Sequence, residues 1–215
     1  RETQTDSDNT LIAQEYTYPD ATLANGLVLS NMLLNRIRTR TFKGTGQTSS
    51  LAYHYSGNTI WPVSVSRSFG EGPQTTLFTL DRYDERGNLL QSTDPNGIST
   101  TYLWGYGGTR LVAEIRNAAY QQVANVLGQA RIDAMTDRIT LSESDIAALE
   151  GLRSAVALGD TQITTYTHHP IFGVTSRTDP RGVRTSYLYD ETGRIKEIAD
   201  DAGNPVVAYD YKYRK

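Results

Sequence analysis

The chain has 215 residues, enough for one large domain or two small ones. Its 21 Lys+Arg against 24 Asp+Glu leave a net charge of −3, so no strong field supports nucleic-acid binding, and the lack of cysteine excludes disulfides, thiolate metal sites and thiol nucleophiles. No apolar run approaches the roughly 18 residues of a membrane helix, while 14 Tyr and 18 Gly suit half-buried strands joined by frequent turns.

Residues 1–10 are polar, start without Met and show no signal-peptide pattern. They read as a flexible lead-in of a piece cut from a longer protein. Leu11–Tyr18 reads as a strand stopped by Pro19-Asp20. Residues 21–32 are apolar and suit a short helix, against which Asn25-Gly26 counts. Leu33–Lys43 alternates, with Arg36, Arg38 and Arg40 on one face and Ile37, Thr39 and Thr41 on the other, as a strand requires. Gly44-Thr45-Gly46 turns into a partner strand at Ser49–Tyr55. Gly57-Asn58 turns again before Ile60–Ser68, and Phe69–Pro73 before Thr75–Tyr83.

From Tyr83 onward the chain repeats itself. Tyr83-Asp84-Glu85-Arg86-Gly87-Asn88-Leu89 leads to Asp94-Pro95-Asn96-Gly97 and then to Tyr102 and Trp104. Asp179-Pro180-Arg181-Gly182 leads to Tyr187, Tyr189-Asp190 and Gly193, with Gly203 and Tyr209 beyond. Asp94 to Asp179, Gly97 to Gly182 and Tyr102 to Tyr187 are each 85 residues apart, while Tyr83 to Tyr189 is 106. The offsets share a period of about 20–21, the class of stacked supersecondary arrays. In each unit Asp accepts from the backbone, Pro sets its own φ and Gly takes the left-handed position. The aromatic face of each hairpin then needs a neighbour. Between the copies, residues 117–159 lose alternation. Asn117 is placed to cap a helix over Ala118–Leu127 that Gly128 stops, and Ala130–Asp137 adds a turn or two. Ser142 with Glu143 and Asp145 opens another helix, whose apolar stripe is Ile146, Leu149, Leu152 and Val156 and whose end is Gly159. Strands resume at Thr161–Tyr166.

At the Tyr-Asp-x-x-Gly and Asp-Pro-x-Gly residues the sequence resembles the Rhs/YD-repeat family, over about 75–117 and 161–215. With its helical insertion it is similar to the large secreted YD-repeat proteins of Bacteroidetes-type bacteria. The resemblance implies a large exported or surface-attached parent whose β-sheets spiral into hollow shells. Some shells enclose a C-terminal toxin, some relatives act in adhesion, and some are linked to carbohydrate. Toxin-carrying members cleave themselves at an Asp-Pro-x-Gly-Leu motif. Here Ile98 follows Gly97 and Val183 follows Gly182, a departure that counts against autoproteolysis.

Candidate chemistry is weighed on the same footing. Asp94 and Asp179 are either paired carboxylates or Asx turn residues, and turn chemistry favours the latter. His168 and His169 are adjacent on a strand, so both cannot face one metal ion. Asp6-Ser7-Asp8-Asn9 starts like a calcium loop but lacks its Gly and closing Glu. Arg36, Arg38, Arg40 and Trp61 form either a glycan or partner surface or ordinary solvated and cross-strand positions. No nucleophile elbow, Walker loop, dinucleotide fingerprint or zincin motif is present.

The expected fold is mainly β: an antiparallel hairpin or meander sheet of YD-type repeats, part of a larger β-shell, with a helical insertion. The expected divisions are a lead-in at 1–10, a β-rich region with the first repeat at 11–116, the insertion at 117–160 and the second repeat block at 161–215, all in one folded unit. The expected function is a structural and interaction module of a bacterial surface or secreted protein, with no catalytic residue, cofactor or metal. Its partners are the rest of the parent, or a glycan or another surface protein, with self-association of the isolated piece and without nucleic acid or membrane insertion. The alternatives are a carbohydrate-binding module and part of a self-cleaving toxin shell.

Overall fold

The computed structural model describes residues 2–8 and 10–212. The parts of the expected lead-in and calcium-like stretch at Arg1 and Asn9, and of the second repeat block at 213–215, lie outside the described residues. Fourteen strands pair in strict sequence order, all antiparallel where the register is defined, so the mainly β meander expected from the sequence is what forms. The chain divides into two compact units, Arg1–Arg82 with Ser92–Gly97, and Tyr83–Gln91 with Ile98–Lys215. Each holds an apolar cluster of its own.

In the first unit the strands are β1 (Glu2–Thr5), β2 (Leu11–Thr17), β3 (Arg38–Lys43), β4 (Gly46–His54), β5 (Ser64–Phe69) and β6 (Thr75–Tyr83, its last residue across the boundary). Glu2–Thr5 pairs with Leu11–Gln14 and satisfies backbone groups there. One helical turn and a half, α1 (Asn25–Leu29), crosses between β2 and β3. Leu27 and Ala24 bury with Ile37, and Tyr55 and Ile60 pack on them. That cluster claims Ile37 for packing, and Asn31 turns the chain at φ 56, so the strand expected from Leu33 starts only at Arg38. The strand expected from Ile60 likewise starts at Ser64, leaving Trp61 in the bend before it. Asn25-Gly26, which counted against a helix, is what lets α1 dock. The Asn25 side chain bonds Asn58 at 2.8 Å, and a Cβ on Gly26 would meet the Thr59 carbonyl oxygen at 2.1 Å.

In the second unit β7 (Leu89–Thr93) leads to β8 (Ser99–Gly105) and β9 (Arg110–Arg116). The insertion follows: α2 (Tyr120–Leu127), α3 (Gln129–Asp137), α4 (Glu143–Gly151) and two 3-10 turns at Leu152–Ser154 and Val156–Leu158. The meander resumes with β10 (Gln162–His169), β11 (Gly173–Thr178), β12 (Arg184–Tyr189), β13 (Ile195–Ala199) and β14 (Pro205–Ala208). β9 and β10 pair directly, Arg116 opposite Gln162. The whole insertion thus leaves and returns at the position of one hairpin turn. Its helices pack on β8 and β10, and the core is built from Leu103, Ile115 and Ile163 of the sheet with Val123, Met135, Leu149 and Leu152 above them.

Two local expectations are corrected here. Asn117 does not cap α2. It sits at φ 66 and its amide donates to the Asp160 carbonyl at 3.1 Å, tying the two stems of the insertion. Ala119 takes the cap position, its N–H satisfied by the Gln122 side chain at 2.8 Å. Val156 leaves the predicted stripe, at 97% exposure, because α4 ends at Gly151 and the 3-10 turns rotate Leu158 inward instead. Ser142, by contrast, caps α4 as its sequence signals, accepting from the Asp145 amide at 3.2 Å.

Candidate functional site

The motif residues build one device five times. In the turn at Asp84, the Gly87 amide donates to the Asp84 carbonyl at 3.1 Å, and the Asp84 amide to the Asn88 carbonyl at 3.0 Å. The Asp84 carboxylate meanwhile accepts from the Arg86 and Asn88 amides at 2.9 and 2.8 Å. This is a type I turn closed by a left-handed glycine, a tight three-residue hairpin loop. Asp179 with Gly182, Asp190 with Gly193 and Asp200 with Gly203 repeat the backbone pair, and Asp94 with Gly97 repeats the inner bond at 2.9 Å. All five glycines lie at φ between 81 and 87. The carboxylates are fully committed. The Thr192 hydroxyl, then the Arg194 amide and side chain, hold Asp190 well below the usual carboxylate range. The Val183 amide and Arg181 do the same for Asp179, as do the Asn204 amide and side chain for Asp200. Pro95 and Pro180 occupy the second turn position. Gly182 shows the backbone requirement in isolation, since a Cβ there would touch nothing within 4 Å. Gly182→Val is expected to lower unfolding free energy by about 1–2 kcal/mol through left-handed strain alone, read from chemical denaturation.

The aromatic residues build a second repeated device. Trp104 Nε1 donates to the Leu89 carbonyl at 2.9 Å, the Tyr189 hydroxyl to Val174 at 2.7 Å and the Tyr211 hydroxyl to Ile195 at 2.8 Å. Each ring reaches back over a hairpin to a carbonyl near the start of an earlier strand. The last slot is filled by Tyr211, with Tyr209 stacked on it at 6.2 Å, and not by Tyr209 itself as spacing suggested. Phe172 lies between His169, at 4.4 Å, and Tyr189, at 5.8 Å, against Gly193. Tyr102 and Tyr187 lie half-buried in β8 and β12, and Tyr83 half-buried at the end of β6.

The residues proposed as a glycan or partner surface have individual surroundings. Arg36 precedes β3 and stacks on Tyr16 at 3.9 Å, with Glu2 at 3.6 Å. Arg38 lines a small cavity of about 80 Å³ with His54 and Tyr55. Arg40 is half-buried, its Nε without a partner, and Trp61 is not among that cavity's walls. His168 and His169 diverge, as their adjacency requires: one bonds Leu111, the other stacks on Phe172. Among the described residues no cluster of three or more His, Asp or Glu could hold a metal ion, and no helix is long and apolar enough to cross a membrane.

A concavity of about 210 Å³ lies under the insertion, in the second unit. Along one row of the sheet, Leu103, Ala113, Thr165, Thr178 and Arg184 stand side by side, so the face turns from apolar to hydroxyl-bearing. Thr165, Thr167, Ser176 and Thr178 form the floor, and Glu150, Arg184 and Asp201 the walls. Glu150 accepts from Thr165 and faces Arg153 at 3.2 Å. Arg153 then reaches the carbonyls of Ile163, Thr178 and Asp179 at 3.0–3.2 Å, pinning the insertion to the second repeat block. Sequence reasoning missed Arg153 and this floor. The alternating hydroxyls at 165 and 167, and at 176 and 178, were the available signal.

Comparison with known proteins agrees with the two devices. The RHS Repeat family matches residues 83–121 and 173–205, about a third of the chain. A crystal structure of TcdB2-TccC3-Cdc42 aligns at 15% identity and a TM-score of 0.41, covering 88% of this chain and 8% of that one. The Photorhabdus luminescens Tc holotoxin pore, carrying a TccC3 mutation, aligns at 10% identity and 0.45, covering 98% and 10%. This chain therefore spans about a tenth of the chains it aligns with. No curated protein matches it. The matched stretches contain the Asp-turn and the aromatic back-bond in both copies, and over these two stretches the chain carries the RHS repeat that its motifs resemble.

Proposed function

We propose that the chain is a structural and interaction module in the sheet of a large secreted or surface-attached bacterial RHS-repeat protein, with no catalysis of its own. One observation carries this reading: the motif residues spend their polar atoms on the sheet's own backbone, from the carboxylates of Asp84, Asp179 and Asp190 to Trp104 Nε1 and the Tyr189 hydroxyl. Groups used in this way support the fold. The same use of the repeat serves a toxin-enclosing shell and a surface protein without cargo. Glycan binding through Arg36, Arg38, Arg40 and Trp61 finds less support, because Arg36 is occupied by Tyr16 and Glu2.

The reading is tested on the purified chain. Its far-UV circular dichroism is expected to be dominated by strand, and its intact mass is expected to stay constant on incubation. Trp104→Phe is expected to cost about 1–2 kcal/mol by removing one buried hydrogen bond and part of a ring. A self-generated fragment, or a Trp104→Phe protein of unchanged stability, would overturn it.

A further inference from the structure

One group in the second unit is held in a way the repeat does not require. His168 sits near the end of β10, beside a register shift between Thr167 and His168. Its Nε2 lies 2.8 Å from the Leu111 carbonyl on β9. A carbonyl only accepts, so Nε2 carries the proton and Nδ1 carries the lone pair. Nδ1 is buried and has no partner. The His168 backbone amide donates to the Tyr106 hydroxyl at 2.8 Å, and the Tyr106 ring meets the imidazole edge-on at 5.3 Å. Tyr106 itself is buried and left-handed at φ 56, a strained setting for a bulky residue. The β8–β9 hairpin is thus fastened to the β10–β11 hairpin at one residue, by the His168 amide on the Tyr106 hydroxyl and by its imidazole on the Leu111 carbonyl and the Tyr106 ring.

The surroundings suit only the neutral ring. From β9 it faces the Leu111 carbonyl and the charge of Arg110. The β8–β9 turn contributes Tyr106, β10 contributes Tyr166 at 6.5 Å, and β11 places Val174 opposite. No carboxylate pairs with the ring among the described residues. A proton on Nδ1 would create a buried donor without an acceptor and a cation near Arg110, and buried groups of both kinds are costly.

We propose that His168 is an acid-sensitive latch that fastens the β8–β9 turn to the β10–β11 hairpin and loosens when its ring takes up a proton. Burial, then the charge of Arg110, hold the ring below its ordinary pKa against the opposing bond to Leu111. The unfolded chain, near the ordinary histidine value of about 6.5, therefore binds the proton first. The latch is intact above that value, and its contribution is lost as pH falls through the lower folded-state value.

The test uses the whole chain in chemical denaturation across roughly pH 7.5 to 5. The unfolding constant is expected to rise by up to about tenfold per pH unit within the window between the two pKa values. His168→Gln keeps a donor for Leu111 but cannot titrate, so its slope is expected to flatten. An unchanged slope in His168→Gln overturns the proposal. Should that variant fail to fold, ring titration of the wild type by NMR decides: a value below the ordinary one supports the latch, and a value at or above it overturns it.

Discussion

Replacing residues 117–161 by an Asp-Pro-Asn-Gly turn is expected to abolish cooperative unfolding of the second unit. The splice is geometrically permitted, since Arg116 and Gln162 already face each other across β9 and β10. What the deletion removes is the cover of the sheet. Leu103, Ile115 and Ile163 belong to one core with Val123, Met135, Leu149 and Leu152, and all of these except the first three come from the insertion. Exposing three large aliphatic side chains forfeits on the order of 5–9 kcal/mol. A whole domain is stable by only about 5–15 kcal/mol. Arg153 would go as well, and with it the three carbonyl bonds that pin the second repeat block. Thermal unfolding followed by near-UV circular dichroism is expected to lose its sigmoidal transition. A variant that melts cooperatively near the wild-type midpoint would show the insertion to be an ornament on a self-sufficient sheet.

Gly26→Ala is expected to undock α1 and cost the first unit about 2–4 kcal/mol. The added Cβ would fall 2.1 Å from the Thr59 carbonyl oxygen and 2.4 Å from Asn58 backbone atoms. These are main-chain atoms, so no side-chain rotation relieves the overlap. Either the loop at 58–59 moves or α1 lifts, and lifting it uncovers Leu27 and Ala24 over Ile37. Gly57 is the internal comparison: it is left-handed at φ 57 with nothing within 4 Å of its Cβ position. Gly57→Ala is expected to cost only about 1 kcal/mol. Denaturant midpoints for the pair separate close approach from backbone strain, and equal losses would refute the docking account.

The two repeats and the first unit differ in how openly they can be read. Asp84, Asp179 and Asp190 each act within four residues of themselves, on amides whose positions follow from the turn. Local hydrogen bonding of this kind is written in spacing, so the motif locates both the turn and its edge of the sheet. The aromatic back-bond spans 15 or 16 residues, still within one hairpin repeat, which is why Trp104 falls at its expected position. The final slot slipped from Tyr209 to Tyr211, where β13 and β14 carry a register shift that periodicity does not contain. Residues 33–37 were misread for a related reason. Their apolar side chains answer to Tyr55 and Ile60 from a later part of the chain, and not to their own period.

The sequence by itself determined the strand-and-turn alphabet and the left-handed glycines of the repeat, because each depends on bonds made within one hairpin. Tertiary structure alone decided that the insertion supplies much of the core of its unit, that Arg36 stacks on Tyr16, and that Val156 yields to Leu158. It also decided that Gly26 marks a backbone contact, that Arg153 is a clamp, and that His168 holds a buried lone pair. Each of these rests on contacts between residues far apart in the chain, where burial and close approach, and not propensity, select the conformation.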